Sequence, residues 1–248
     1  MQQLQDGVDD GPRRGDDAEI IGQDVELLGV ALPPLPAPDL RMMRSEAAGG
    51  CSLVFCLIGT FIALTISCAH PLPYGATLIS AVITEAVIAL ACLSYLMFGD
   101  PGVVKRTRRS CLPVPQEVAE KLNAAAQTPG APHPLMGMTN IHDAANERSY
   151  CVRCCMWREE TDGRPSRWPR HMGARSARIP VHHCSICQRC VTHFDHHCGV
   201  FGRCIAGTWK SGNMPAFCGM ILMGYCGAIT AGVSFVMGIM NSFAEITG

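Results

Sequence analysis

Residues 47–69 form a run of 23 without a charged side chain, 76–98 a second run of 23 broken only by Glu85, and 217–240 a third of 24. At about 1.5 Å of rise per residue, each makes a helix long enough for roughly 30 Å of hydrocarbon. The composition agrees: 48% of the 248 residues are hydrophobic and only 17% are charged. Three runs of this length have little use as core helices of a soluble protein. The sequence therefore predicts an α-helical integral membrane protein with about three spans.

Basic residues near the ends set the orientation. Arg41 and Arg44 precede the first run, Lys105, Arg106, Arg108 and Arg109 follow the second, and Arg203 and Lys210 precede the third. The hairpin at 70–75 has neither Lys nor Arg. This pattern predicts a cytosolic N-terminal tail, a cytosolic segment 99–216 and a C-terminus on the far side. Residues 1–46 hold ten acidic and four basic residues and a Pro-rich run from Leu32 to Pro38, and are expected to be a disordered tail. Residues 99–149 read as a linker with one short helix, Gln116 to Ala126, and 241–248 as a C-terminal tail.

The chain has 15 cysteines. No basic-then-apolar leader opens it, so a secreted disulfide framework is the poorer reading and metal ligation the better one. The cluster lies in 151–204: Cys151-x2-Cys154, then His183-Cys184-x2-Cys187-x2-Cys190, then His197 and Cys204. Zinc takes four thiolate or imidazole ligands in a tetrahedron, and a C-x2-C pair on a turn supplies two. Eight such ligands fill two sites. The segment 150–216 holds few aliphatic residues, so bound metal is expected to supply much of its folding free energy.

Two such sites leave thiols over, Cys198 among them. Asp195-His196-His197-Cys198 lies among the last ligands, and two sites do not require Cys198. A thiol of ordinary pKa, about 8.5, is mostly protonated in the cytosol. A neighbouring imidazole that takes its proton, oriented by a carboxylate, makes it a nucleophile. On spacing alone, Cys198 or Cys155 can also exchange with a ligand.

The run His183-Cys-Ser-Ile-Cys-Gln-Arg-Cys-Val-Thr-His-Phe-Asp-His-His-Cys198, continued by Cys204-Ile205, resembles the cysteine-rich domain of DHHC-type protein S-palmitoyltransferases. Tyr150-Cys151-x2-Cys154 and Asp100-Pro101-Gly102 resemble that family's opening zinc pair and its DPG motif. The resemblance implies a multi-pass protein of the Golgi, endoplasmic reticulum or plasma membrane whose small zinc-bound domain of short hairpins faces the cytosol. It implies two interleaved structural zinc ions, the first on Cys151, Cys154, His183 and Cys190, the second on Cys184, Cys187, His197 and Cys204. It further implies that Cys198 takes palmitate from palmitoyl-CoA as a thioester, with His196 as base and Asp195 orienting it, and passes it to a cysteine of a substrate protein. Membrane lipids, acyl-CoA and such proteins are the expected partners, and nucleic acid is not.

Several positions depart from the family pattern. Gly199-Val200 replace Pro-Trp after the nucleophile, and Arg203 replaces the Asn before the last ligand. Ala206 and Trp209 stand for Gly and Asn, Pro180 for an Arg, and a basic insert runs from Met156 to Arg178. No Thr-Thr-x-Glu motif and no fourth span are found before Gly248. A membrane-anchored zinc scaffold without catalysis is the alternative reading; it needs the eight ligands but not Asp195, His196 or Cys198. Glu85, mid-span, is costly there and a candidate functional residue. Cys111, beside the basic run, is a candidate for acylation itself.

Overall fold

The computed structural model describes residues 32–126, 134–146, 148–159, 181–208 and 211–247. Three helices dominate it: α1 (Leu40–Ala69), α2 (Gly75–Phe98) and, last in the chain, α5 (Met214–Thr247). Among the described residues these are the helices long and apolar enough to cross a membrane, and each packs against the other two. Their outer faces keep large apolar side chains exposed, among them Phe55, Val87, Tyr225 and Ile229, as lipid-facing helices do.

The helices extend past the uncharged runs. α1 starts at Leu40 because Asp39, after a Pro-rich stretch, accepts a hydrogen bond from Met42 N at 3.0 Å and caps it. Its first two turns carry Arg41, Arg44 and Glu46 outside the apolar stretch. Residues 32–39, expected to belong to a disordered tail, instead lie along the cysteine-rich module. Arg106 donates to Pro33 O (2.7 Å), Arg189 to Pro36 O (2.8 Å), and Leu32 and Leu35 pack into its core.

Among the described residues between α2 and α5 are two short helices, α3 (Arg108–Cys111) and α4 (Gln116–Ala126), and three antiparallel hairpin units. β1 (Ile141–Asp143), β2 (Arg148–Cys151) and β3 (Met156–Glu159) form the first. β4 (Val181–Cys184) and β5 (Arg189–Thr192) form the second. β6 (Phe194–Cys198), β7 (Arg203–Thr208) and β8 (Ser211–Gly212) form the third. The predicted short helix is α4, and it has a use: Val118 and Leu122 pack with Leu135, Tyr150, Val152 and Cys155. Each such buried side chain contributes about 1.5–3 kcal/mol, so the module has an apolar core that the composition of 150–216 alone does not reveal. The basic insert lies largely outside the described residues, as do Pro180, Trp209 and Lys210.

Asp100-Pro101-Gly102 ties the helices to the module. Asp100 Oδ1 accepts from Gly102 N and Val103 N, both at 2.9 Å, which folds the chain back as α2 ends. Gly102 has φ +100, and a Cβ there would lie 2.6 Å from Thr192 Oγ1, so the turn requires glycine. Thr192 N then donates to Gly102 O (2.9 Å), Val103 bridges to Val191, and Val104 N donates to Cys190 O (2.9 Å). Arg203 Nη2 also reaches Gly99 O at 3.0 Å, satisfying a carbonyl just past the end of α2.

Candidate metal centres and acyl-transfer site

The first and second hairpins turn on C-x2-C loops followed at once by a residue in the left-handed region, Cys155 (φ 51) and Gln188 (φ 53). This bend points both cysteines of each pair inward. Cys187 N donates to Cys184 Sγ at 3.4 Å, as backbone amides do around thiolates. Alternation along the strands distributes the rest, because neighbouring residues on a strand face opposite ways. His183 pairs across the ladder with Cys190 and faces the first hairpin; Cys184, one residue on, faces the third.

Two four-residue groups result: Cys151, Cys154, His183 and Cys190, and Cys184, Cys187, His197 and Cys204. Within each, the ligand atoms lie within 4.8 Å of one another. Cys154 Sγ stands 3.2 Å from His183 Nδ1 and Cys190 Sγ 3.9 Å from it. In the second group Cys184, Cys187 and Cys204 Sγ stand 3.6, 3.4 and 3.9 Å from His197 Nδ1. A tetrahedral ion with bonds near 2.3 Å to sulfur and 2.0 Å to nitrogen spaces its ligands roughly 3.5–3.8 Å apart, so the donor sets fit such an ion. The thiols titrate accordingly. Hydrogen bonds from neighbouring thiols pull Cys151 and Cys184 far down and push Cys190 and Cys204 far up. Three sulfurs this close cannot all be thiolates unless a cation sits among them. The second hairpin contributes two ligands to each group, so the sites are interleaved.

Cys198 and Cys155 belong to neither group. Cys155 is fully buried, its thiol directed at Val152 O and raised by burial to about 11. Cys111 is fully buried against Cys151, Cys154 and Cys190, which removes it as an acylation target.

On β6, His197 faces the second metal group. His196 and Cys198 flank it, and alternation puts them together on the opposite face. A register irregularity at Asp195 lets its carboxylate fold back, with Oδ2 2.8 Å from His196 Nδ1. With Nδ1–H donating there, Nε2 keeps its lone pair for a proton. Both side chains are accessible, at 42% and 40% exposure, whereas Cys198 is 8% exposed. Cys198 packs with Leu93, Leu96, Phe201, Ile205, Ala216 and Met220 at the end of the helix bundle. His196 stacks edge-on to Phe217 on the same patch, ring centres 5.7 Å apart.

The loop after Cys198 carries Gly199-Val200 and is covered by the start of α1. Gly202 has φ +60, and any Cβ there would collide with Met43 O. Two residues that sequence reasoning passed over complete the site. Asn213 is fully buried; its side chain donates to Cys204 O (2.8 Å) and accepts from Ala206 N (2.9 Å), fastening β7 to the start of α5. Glu46 Oε2 accepts from His197 Nε2 at 3.3 Å, so α1 orients the imidazole whose other nitrogen faces the second candidate metal group. Only a charged residue just ahead of an apolar run hinted at Glu46, and nothing local marked its partner. Glu46→Ala should weaken metal affinity at the second site about 10–100-fold, and Glu46→Gln less, in a chelator competition assay. Unchanged affinity in the alanine variant would remove Glu46 from this role.

Three membrane-length helices clamped to an interleaved pair of Cys3His metal sites, with a spare thiol at the junction, define a membrane protein with a cysteine-rich metal-binding module. Residues 175–247 match the family model described as DHHC palmitoyltransferase. It is similar to Palmitoyltransferase ZDHHC9 of Bos taurus, Mus musculus and Homo sapiens, in each case 29% identical over 154 residues, which is 60% of this chain. The matched region spans about a third (33%) of those relatives' length.

Proposed function

We propose that this chain is a protein-cysteine S-acyltransferase working at the cytosolic face of its membrane, with a long-chain acyl-CoA such as palmitoyl-CoA as donor. One observation carries the reading: Cys198 lies outside both four-residue groups and, unlike Cys155, which is also outside them, it sits in an apolar patch at the end of the helix bundle, two residues after His196 on the same strand. His196 Nε2 takes the Cys198 proton. The thiolate attacks the thioester carbonyl carbon, the carbon–sulfur bond to CoA breaks, and the CoA thiolate leaves with the proton. A substrate cysteine then gives its proton to His196 and attacks the acyl-enzyme, and Cys198 departs as thiolate. Asp195 holds His196 in the tautomer this needs. Two zinc ions, held by Cys151, Cys154, His183 and Cys190 and by Cys184, Cys187, His197 and Cys204, would be structural: every ligand position is filled by protein.

The apolar setting suits the cargo. Each buried methylene contributes about 0.8 kcal/mol, so a sixteen-carbon tail gains on the order of 10 kcal/mol from leaving water. The test uses the full chain in detergent with an alkynyl palmitoyl-CoA. Wild type should acquire label that hydroxylamine removes, and Cys198→Ser should not. Equal labelling of both would withdraw the assignment and leave a zinc scaffold as the better reading.

A further inference from the structure

The Pro-rich segment 32–39 lies against the cysteine-rich module with a period of three. Leu32, Pro33, Leu35 and Pro36 are half-buried, whereas Pro34 and Ala37 are exposed. Pro33, Pro34, Pro36 and Pro38 fix φ at about −65° at their own positions and hold the residue before each of them extended. A chain so restricted favours polyproline II, with about three residues per turn and no internal hydrogen bonds. Leu32 and Leu35 then share one face, one turn apart, and the carbonyls of Pro33 and Pro36 share another.

The module meets both turns. Leu32 and Leu35 pack on the cluster of Cys111, Cys151, Cys154, Met156 and Cys190, which includes the three cysteines of the first metal group. Arg106 Nη1 donates to Pro33 O at 2.7 Å while its Nε donates to Cys154 O at 2.8 Å. Arg106 is buried, so without Pro33 O its guanidinium would lose a carbonyl that offsets its desolvation. Arg189, the residue before Cys190, donates from Nη1 to Pro36 O at 2.8 Å. Asp39 N fastens the far end to Ile186 O at 3.3 Å, in the turn of the second hairpin. Beneath this cover Cys151, Cys154 and Cys190 are each 1% exposed. In the second group, on which neither leucine packs, Cys187 is only half-buried.

We infer that the module carries a groove for a leucine–proline segment in polyproline II form, that residues 32–39 are its ligand within the chain, and that the filled groove seals the first metal group. This rests on the reading that the first group holds a zinc ion. Arg106 and Arg189 read the backbone carbonyls of the segment, and the seats of Leu32 and Leu35 read its side chains. A sealed group loses its ion when the segment lifts, so the release rate follows the lifted fraction. The prolines keep that fraction small, because a prolyl chain has little conformational freedom to lose on docking. Full burial of one leucine shifts such an equilibrium about ten- to hundredfold, so losing two half-buried leucines should raise the lifted fraction about tenfold or more.

The experiment follows zinc release from the full chain in detergent into excess chelator, with pulse alkylation by N-ethylmaleimide to map which cysteines open. The double variant Leu32→Asp, Leu35→Asp should release one of its two ions about tenfold faster or more than wild type. Cys151, Cys154 and Cys190 should become labelled with that ion's loss, while Cys184, Cys187 and Cys204 keep the wild-type rate. Ala37→Asp, on the outward face, should release both ions as wild type does. A peptide of residues 32–39 at millimolar concentration, roughly the effective concentration of a short tether, should slow release from the double variant again. The same residues in scrambled order should not. Wild-type release from the double variant, equal acceleration of both ions, or a peptide without effect overturns the inference while leaving both metal sites standing. Should the double variant fail to fold, Leu35→Ala decides: release about threefold faster or more than in Ala37→Asp upholds the inference, and equal rates overturn it. A wild-type chain purified in folded form without zinc removes the metal reading instead, and this inference with it.

Discussion

Cys190→Ser should cut the metal content of the purified chain from about two ions to about one and open the cysteine-rich module to proteolysis, while the membrane helices keep their helical circular dichroism. A structural zinc site contributes an apparent 10–16 kcal/mol to the folding of a small domain at neutral pH. Whole domains are stable by only about 5–15 kcal/mol. The cluster around Val118, Leu122 and Tyr150 gives the module a small core but does not offset the loss of a metal site. Cys190 is the severest choice among the ligands. It is fully buried, its ladder partner is His183, and its carbonyl receives the hydrogen bond from Val104 that joins the module to the end of α2. Cleavage should therefore appear within 141–208 first. Chelation of the wild-type chain should reproduce the effect and added zinc should reverse it. A Cys190→Ser protein that retained two ions and its protease resistance would refute the ligand assignment.

The parts of this architecture legible in the sequence are those fixed by residue type. A charge is costly in hydrocarbon, so the absence of charge marked the apolar cores of three helices. Few side chains bind zinc, so eight spaced cysteines and histidines marked two sites, and the family resemblance implied the division into the two groups that the fold assembles. The helix ends were less legible because capping and tertiary contact decide them. α1 reaches back to Leu40 through the Asp39 cap, and α5 runs on to Thr247 with Asn241 bonded to Glu245 one turn later (2.7 Å). The strap at 32–39 was illegible for a related reason. Its composition is that of a disordered tail, and it is ordered by Arg106 and Arg189 donating to its carbonyls, which any sequence could offer. Glu46 and Asn213 share this character, since each acts on a partner set by the fold. One departure after Cys198 also acquires a physical sense: arginine at 203 meets the carbonyl of Gly99.

The adjacent histidines of β6 should separate cleanly on substitution. His196→Ala should lower the rate of thioester formation by about 10²–10⁴, the usual contribution of a general base, while the protein keeps two metal ions. His197→Ala should instead lose the ion of the second group and, with it, the register of β6 against β7, where His197 pairs with Cys204. Alternation along the strand is the reason: residues one apart serve opposite faces, one toward the metal and one toward the thiol. Asp195→Asn should fall between wild type and His196→Ala in rate, with metal content unchanged, because the amide still reaches His196 Nδ1 but no longer favours one tautomer or the imidazolium. The readings are single-turnover labelling of Cys198 and elemental analysis of the same preparations. Retained labelling in His196→Ala at the wild-type rate would transfer the base to another group. Loss of metal in that variant would place His196 among the ligands and leave Cys198 without the neighbour that activates it.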